Sequence, residues 1–174
     1  MVMLKRLCLN KRRENNIKPK ERILEHYHRS IQFVSKLEGW SDEQWLMPLA
    51  IGKWSTCEII GHLIFWDQFL IEKRLPALLL ETEKVVTPKV HEANAIAASM
   101  SKEKLKGEVI QEFIEERQRL LTFIDELSHE IFDRNFSIGK SHLTLNGYFE
   151  GLMEHDLHHF QQIKDFMIEF DKKG

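Results

Sequence analysis

Near the end of the 174-residue chain stands the segment HDLHHFQQI, with His155 and His159 four residues apart. In a helix that spacing stacks two imidazoles one turn apart on one face. Two helical histidines so placed can grip one metal ion through neutral ring nitrogens. A third histidine, His62, lies far upstream in WSTCEIIGHLIFWDQFL. All three interrupt apolar stripes written in steps of three and four. One stripe reads Ile59, His62, Trp66, Phe69; the other reads Tyr148, Leu152, His155, His159, Ile163, Phe166, Phe170. A buried imidazole must satisfy both ring nitrogens, so a core position is an expensive place for one. Each histidine read alone is a buried side chain satisfied by hydrogen bonds. Read together, three neutral nitrogens with a fourth position open match catalytic metal sites, whereas structural zinc sites are closed and usually use cysteine.

Such a centre offers two chemistries. A coordinated thiol is held as thiolate, a nucleophile for transfer to an electrophile. A coordinated water has its pKa lowered to about 7, which yields hydroxide for hydrolysis. The residue pattern is compatible with both. Three nitrogens suit zinc, nickel, iron or copper. Groups that orient the imidazoles are sought next to them. Glu58 lies one turn before His62, Asp156 follows His155, and Gln162 is about 60° from His159 on the projected helix. Two have plainer roles, Glu58 in a helix cap and Asp156 as a solvated helix carboxylate, and Gln162 is placed to line the pocket. Cys57, in a first helical turn, lies about 140° from His62 and reads as a small packed residue rather than a nucleophile. His158 is about 100° round from His159 and faces elsewhere. His26, His28, His91, His129 and His142 share no face or spacing and read as surface or loop residues.

Four periodic helical segments must position the three histidines. The first begins near Pro19, which suits a first turn, carries Leu24, Tyr27, Ile31 and Val34, and ends before Gly39. The second opens at Ser55 as N-cap with Glu58 closing a capping box and Trp54 and Ile59 as a hydrophobic staple; Pro76 is expected to stop it. The third runs from about Ser101 to Leu127 with Ile110, Phe113, Leu120, Ile124 and Leu127 inward. The fourth covers about Leu145 to Phe170. No segment alternates in the manner of a strand. The 76–100 stretch, with Pro88 and the helix-like HEANAIAASM, is long enough to cross a whole bundle, so an all-α four-helix bundle with a long crossover between the second and third helices is expected.

Charge and composition narrow the function classes. Twenty-five basic against 27 acidic side chains leave a net −2, with no global pull toward nucleic acid or membrane. No apolar run approaches the roughly 20 residues that span a bilayer. Cys8 and Cys57 form neither a disulfide framework nor a CxxC pair, which fits a reducing, cytoplasmic setting. Residues 1–17 are basic, but their apolar run is only Leu7 to Leu9, short of the about 7–15 of a signal peptide. They read as a solvated leader before a domain over 18–174.

These segments resemble the DinB/YfiT-like family of metal-dependent enzymes. WSTCEIIGHLIFWDQFL is similar to the family's W-S-x-x-E-x-x-x-H segment, and HDLHHFQQI to its H-x-x-x-H followed by a Gln. HEANAIAASMSKEKLKGEVIQEFIEERQRLLTFIDEL resembles its crossover and third helix, with an Asn before a polar-apolar run. The resemblance implies a four-helix bundle and one divalent metal, zinc or nickel first and iron next, held by His62, His155 and His159. It implies a homodimer, a small-molecule substrate and a low-molecular-weight thiol cosubstrate such as bacillithiol, mycothiol or glutathione. A thiol-dependent S-transferase is therefore the leading expectation, with a metal-dependent hydrolase or a non-enzymatic metal-binding protein as alternatives. A zincin-type protease does not fit: HDLHH has Asp in place of Glu, and no histidine follows His159. A ferritin-like di-iron site does not fit either, because Glu25 and Glu126 fall about 200° from their helices' inward stripes.

Overall fold

In the computed structural model, which describes residues 18–80, 88–138 and 141–172, Pro19 begins helix α1 (Pro19–Ser35), where its missing N–H costs nothing. A 3₁₀ turn (Lys36–Gly39) and the short α2 (Asp42–Leu46) lead to α3 (Thr56–Phe69). The helix α5 (Val90–Lys102) crosses over to α6 (Lys106–Glu126). After α7 (His129–Asp133) and a hairpin comes α8 (Leu145–Asp171), the longest helix. Helices α1, α3, α6 and α8 form the bundle: α1 and α3 each pack against both α6 and α8, and α5 covers the outer side of α3. The expected leader, residues 1–17, lies outside the described residues.

The core has two parts. One apolar cluster gathers around Val34, Ile60, Leu63, Phe113, Phe160 and Ile163. The other gathers around Ile23, Tyr27, Leu120, Ile124 and Phe149. On α6 the boundary falls between Phe113 and Leu120, and on α8 between Phe149 and Phe160. At that waist lie Arg117 and Asp156, both buried, together with Asp67 of α3.

Four expectations need correction. Pro76 does not end the second helix: α3 passes into a π-helical turn (Leu70–Arg74) and then α4 (Leu75–Leu80). The proline sits in the opening turn of α4, where helices tolerate it. The third segment is two helices, because Ser101 belongs to the last turn of α5 and Glu108 caps a new start by accepting from the Leu105 backbone N–H at 2.9 Å. A two-stranded antiparallel hairpin, Asn135–Ile138 with Ser141–Thr144, is present where no strand was expected; four residues are too few to show alternation. The buried face of α8 is Leu145, Phe149, Asp156, Phe160 and Ile163, one position round from the expected stripe. His155 is exposed and His159 half-buried. Both flanks of that helix are apolar, so periodicity alone does not locate its centre.

Gly61 permits the close approach of α3 and α5. A Cβ there would lie 2.4 Å from the Ser101 Cβ and 3.1 Å from the Ala97 carbonyl oxygen. That approach brings Asn94 of α5 to His62, the residue after Gly61.

Candidate metal centre

Helix α3 starts as the sequence dictates. Ser55 Oγ accepts from the Glu58 backbone N–H at 3.3 Å, and Glu58 Oε2 accepts from the Ser55 N–H at 2.8 Å. The remaining Glu58 oxygen pairs with Lys102 Nζ at 2.9 Å. Glu58 is thus committed to the helix start and to α5, and it does not orient His62. The helix is buried nearly all round, and His62 is 3 % exposed two turns in.

The three histidines meet here. One ring nitrogen from each of His62, His155 and His159 lies within 4.8 Å of the other two. His62 Nε2 and His155 Nε2 are 3.2 Å apart. Two nitrogens bound tetrahedrally to zinc at about 2.05 Å stand about 3.3 Å apart, so this separation fits one shared ion. The outer nitrogens are held as a metal site requires. His62 Nδ1 lies 3.1 Å from Asn94 Oδ1, and that oxygen also accepts from Trp66 Nε1–H at 2.8 Å. His159 Nδ1 lies 2.9 Å from Gln162 Oε1. An amide oxygen accepts a hydrogen bond, so the Nδ1 of His62 and of His159 carries its hydrogen and each Nε2 lone pair is left for the centre.

Electrostatics keep the ligands in their binding form. Burial first, and then the neighbouring His155 and His159, push the His62 pKa down to about 4. Burial and His155 bring His159 down to about 4 as well. Both rings are neutral at pH 7, as a coordinating imidazole must be.

Of the residues expected to orient the ligands, Gln162 stands where the sequence places it. Asp156 is neither solvated nor hydrogen-bonded to an imidazole of the trio. It is buried and accepts from Arg117 Nη1 and Nη2 at 2.5 and 3.1 Å, with His26 Nε2 at 2.9 Å. Even against the cost of burial, Arg117 and His26 hold its carboxyl down at about 2. His26 is therefore a core residue, contrary to the surface reading. Cys57 is buried, with its Sγ donating to the Ser101 carbonyl at 3.3 Å, a packed thiol as expected.

Sequence reasoning assigned no role to Asn94, Arg117 or Asp67. Asn94 lies on the crossover helix, whose docking is not legible in one dimension. Arg117 was open to detection. It fills the gap between Phe113 and Leu120 on the inward stripe of α6, and a guanidinium on such a stripe needs acidic partners. Replacing Asn94 with alanine is expected to weaken divalent-metal affinity about 10–100-fold, the usual cost of losing a group that orients a ligand. Competition with a chromophoric chelator measures it, and unchanged affinity would remove Asn94 from the site.

Beside His159 a cavity of about 510 Å³ opens, within the range of small-molecule pockets. Its wall includes Trp54, Ile59 and Phe166, with Gln162 and Lys53 as polar members. Trp54 is presented by a tight turn, in which Lys53 N–H donates to the Ala50 carbonyl at 3.0 Å and Gly52 takes φ +70°, a conformation that favours glycine. Its indole lies 5.1 Å from the His62 ring and stacks on His159 at 6.4 Å.

A sequence model of the DinB superfamily matches residues 24–163. No curated protein matches significantly. Among solved structures, YfiT from Bacillus subtilis, described as a probable metal-dependent hydrolase with an unusual four-helix bundle topology, superposes with a TM-score of 0.74 at 18% identity and covers 87% of each chain. An uncharacterised protein from Clostridium difficile 630 superposes at 0.68 with 12% identity, over 88% of this chain and 95% of that one. The colibactin self-resistance protein ClbS, solved with a double-stranded DNA, superposes at 0.64 with 14% identity, over 85% and 94%. At these identities the likeness is one of fold.

Proposed function

The chain belongs to the DinB superfamily, and from that premise we propose that it is a metal-dependent enzyme whose His62, His155 and His159 hold one divalent ion beside a small-molecule pocket. The reaction we assign is transfer involving a low-molecular-weight thiol. When bound, the ion would hold the thiol as thiolate and so supply the nucleophile.

The observation that carries this reading is the disposition of the carboxylates. Hydrolysis of the zincin type needs a carboxylate base close to the ligands. Glu58 is locked in its capping box and on Lys102, and Asp156 is locked on Arg117 and His26. The acids that line the pocket, Asp165 and Glu169, lie about 9 and 15 Å along the helix axis from His159. A thiol deprotonated by the ion itself needs no such base. Cys57 is buried against α5, so the thiol comes from solution. Trp54, Ile59 and Phe166 give the cavity an apolar wall, and Lys53 offers a cation there for an anionic group on the substrate or thiol.

Hydrolysis is the second reading, favoured by the description of YfiT. Zinc or nickel suits the three nitrogens best, with iron next. No described helix is long and apolar enough to cross a membrane. A near-neutral net charge favours a small molecule over the DNA partner seen with ClbS. We place the enzyme in the cytoplasm, as a homodimer.

The test is titration of cysteine, glutathione, bacillithiol and mycothiol into Co²⁺-loaded protein. A sulfur-to-cobalt charge-transfer band that is absent in His62→Ala is the expected result. No band with any of the four thiols, together with turnover of activated esters, would transfer the assignment to hydrolysis. Metal uptake with neither outcome would make this a metal-binding protein without catalysis.

A further inference from the structure

At the waist of the bundle, each of the four long helices contributes one group to a buried cluster: His26 from α1, Asp67 from α3, Arg117 from α6 and Asp156 from α8. Arg117 is its centre and is 1 % exposed. Its Nη1 and Nη2 grip both oxygens of Asp156 at 2.5 and 3.1 Å. Its Nε stands 2.6 Å from Asp67 Oδ2 as an ion pair without hydrogen-bond alignment. The guanidinium lies against the rings of Tyr27 and Phe113 at 4.8 and 4.9 Å. Its two carboxylate partners stand on the two helices that carry the histidines. Asp67 is five residues after His62, and Asp156 lies between His155 and His159.

We propose that Arg117 is a positioning residue for the three-histidine centre: by engaging Asp67 and Asp156 together, it sets the rotation of α3 and α8 about their own axes. This rests on the reading that the histidines hold a metal.

Apolar contact resists separation of two helices but hardly distinguishes one azimuth from the next. Helix α8 shows the problem, since half-buried apolar residues such as Leu152, Met153, Phe166 and Met167 lie on both sides of its buried line. With side chains near 5–6 Å from the axis, a 20° rotation carries a histidine tip about 2 Å. That is a whole metal–nitrogen bond length. The bidentate fork on Asp156 permits no such slip of α8, because both bonds are directional, and the 2.6 Å ion pair to Asp67 restrains α3 by its short range. Nor does stability explain the cluster, since well-packed apolar residues commonly replace a buried ion pair without loss. The third bundle helix supplies no histidine to the centre; its contribution is this clamp between the two that do.

The test removes the clamp without stranding a charge. In Arg117→Met/Asp67→Asn/Asp156→Asn all three charges go, and an amide oxygen remains for His26. Urea unfolding reports the fold, competition with a chelator reports Co²⁺ affinity, and the visible Co²⁺ spectrum reports ligand geometry. The expected result is a folded protein whose Co²⁺ affinity is about 10–100-fold weaker, with altered visible bands. A folded triple variant with native affinity and a native spectrum would overturn the proposal. If the triple variant does not fold, Asp67→Leu decides. It keeps the Arg117–Asp156 fork and frees only the His62 helix, so Co²⁺ affinity should fall several-fold, and native affinity there is equally fatal. Failure of the native chain to take up Co²⁺ would instead overturn the metal reading, and this proposal with it.

Discussion

If His62, His155 and His159 hold one ion as proposed, His62→Ala and His159→Ala are each expected to lower divalent-metal affinity by more than about 100-fold, beyond the 10–100-fold typical of losing an orienting partner, because each would delete one of three ligands. The native chain is expected to carry about one metal per chain by elemental mass spectrometry on untagged protein, and either variant none. Removal of His62 leaves Asn94 and Trp66 bonded to each other, so the fold survives and the effect reads as metal loss. The pH dependence follows from the same site. His62 and His159 are both held at about 4, and burial lowers His155 below its ordinary value as well, so protons compete little for the nitrogens between pH 7 and 8. Affinity should be nearly flat over that window and fall as the pH drops toward 4. A native chain that takes up no metal on titration would leave three hydrogen-bonding histidines, of which only His62 is buried, in a bundle whose function lies elsewhere.

Arg117→Ala is expected to be strongly destabilising. It strands two carboxylates in the buried waist, at a cost of about 3–5 kcal/mol. The size of the effect depends on pH in a defined direction. In the native protein the two acids are driven apart. Burial and the neighbouring Asp156 push Asp67 up to about 7, while Arg117 keeps Asp156 down at about 2. Near neutrality Asp156 is thus ionised and Asp67 only partly so, and both face one guanidinium. Asp67, raised above its unfolded value, contributes stability that is complete below about pH 4 and is lost as pH rises to about 7. Asp156, depressed, contributes stability that is present above about pH 4 and lost toward pH 2. Without Arg117 both folded-state values rise, so both acids behave like Asp67. The deficit of the variant should therefore grow as pH rises. Urea unfolding at pH 5 and pH 8 measures it, and a deficit that is larger at pH 5 would contradict this account of the cluster.

The determinants of helix formation are local, and for that reason they are legible. Ser55 and Glu58 announce the start of α3 because a capping box needs only residues three apart. Pro19 announces α1 in the same way. Boundaries failed where a local signal had a second solution. Pro76 is compatible with a helix that first passes through a π turn, and the long 101–127 pattern conceals the break at which Glu108 caps a new helix.

The residue types and spacing alone were enough to mark an all-α bundle and three histidines able to converge on one ion, since i, i+4 stacking and apolar periodicity are properties of a single helix. What each helix turns toward its neighbours is a different matter. Helix α8 carries apolar residues over so wide an arc that the histidine stripe and the true buried line are equally good readings of its periodicity. The choice between them rests on Asp156 meeting a guanidinium 39 residues away in the chain. Asn94 reaches His62 only because Gly61 lets α5 approach. Rotation and docking are set by pairs of groups on different helices, and a pair has no signature in either segment taken alone. Tertiary structure alone therefore decided that His155 is exposed, that Asp156 is the centre of a buried face, and that a charged waist lies beneath the three histidines.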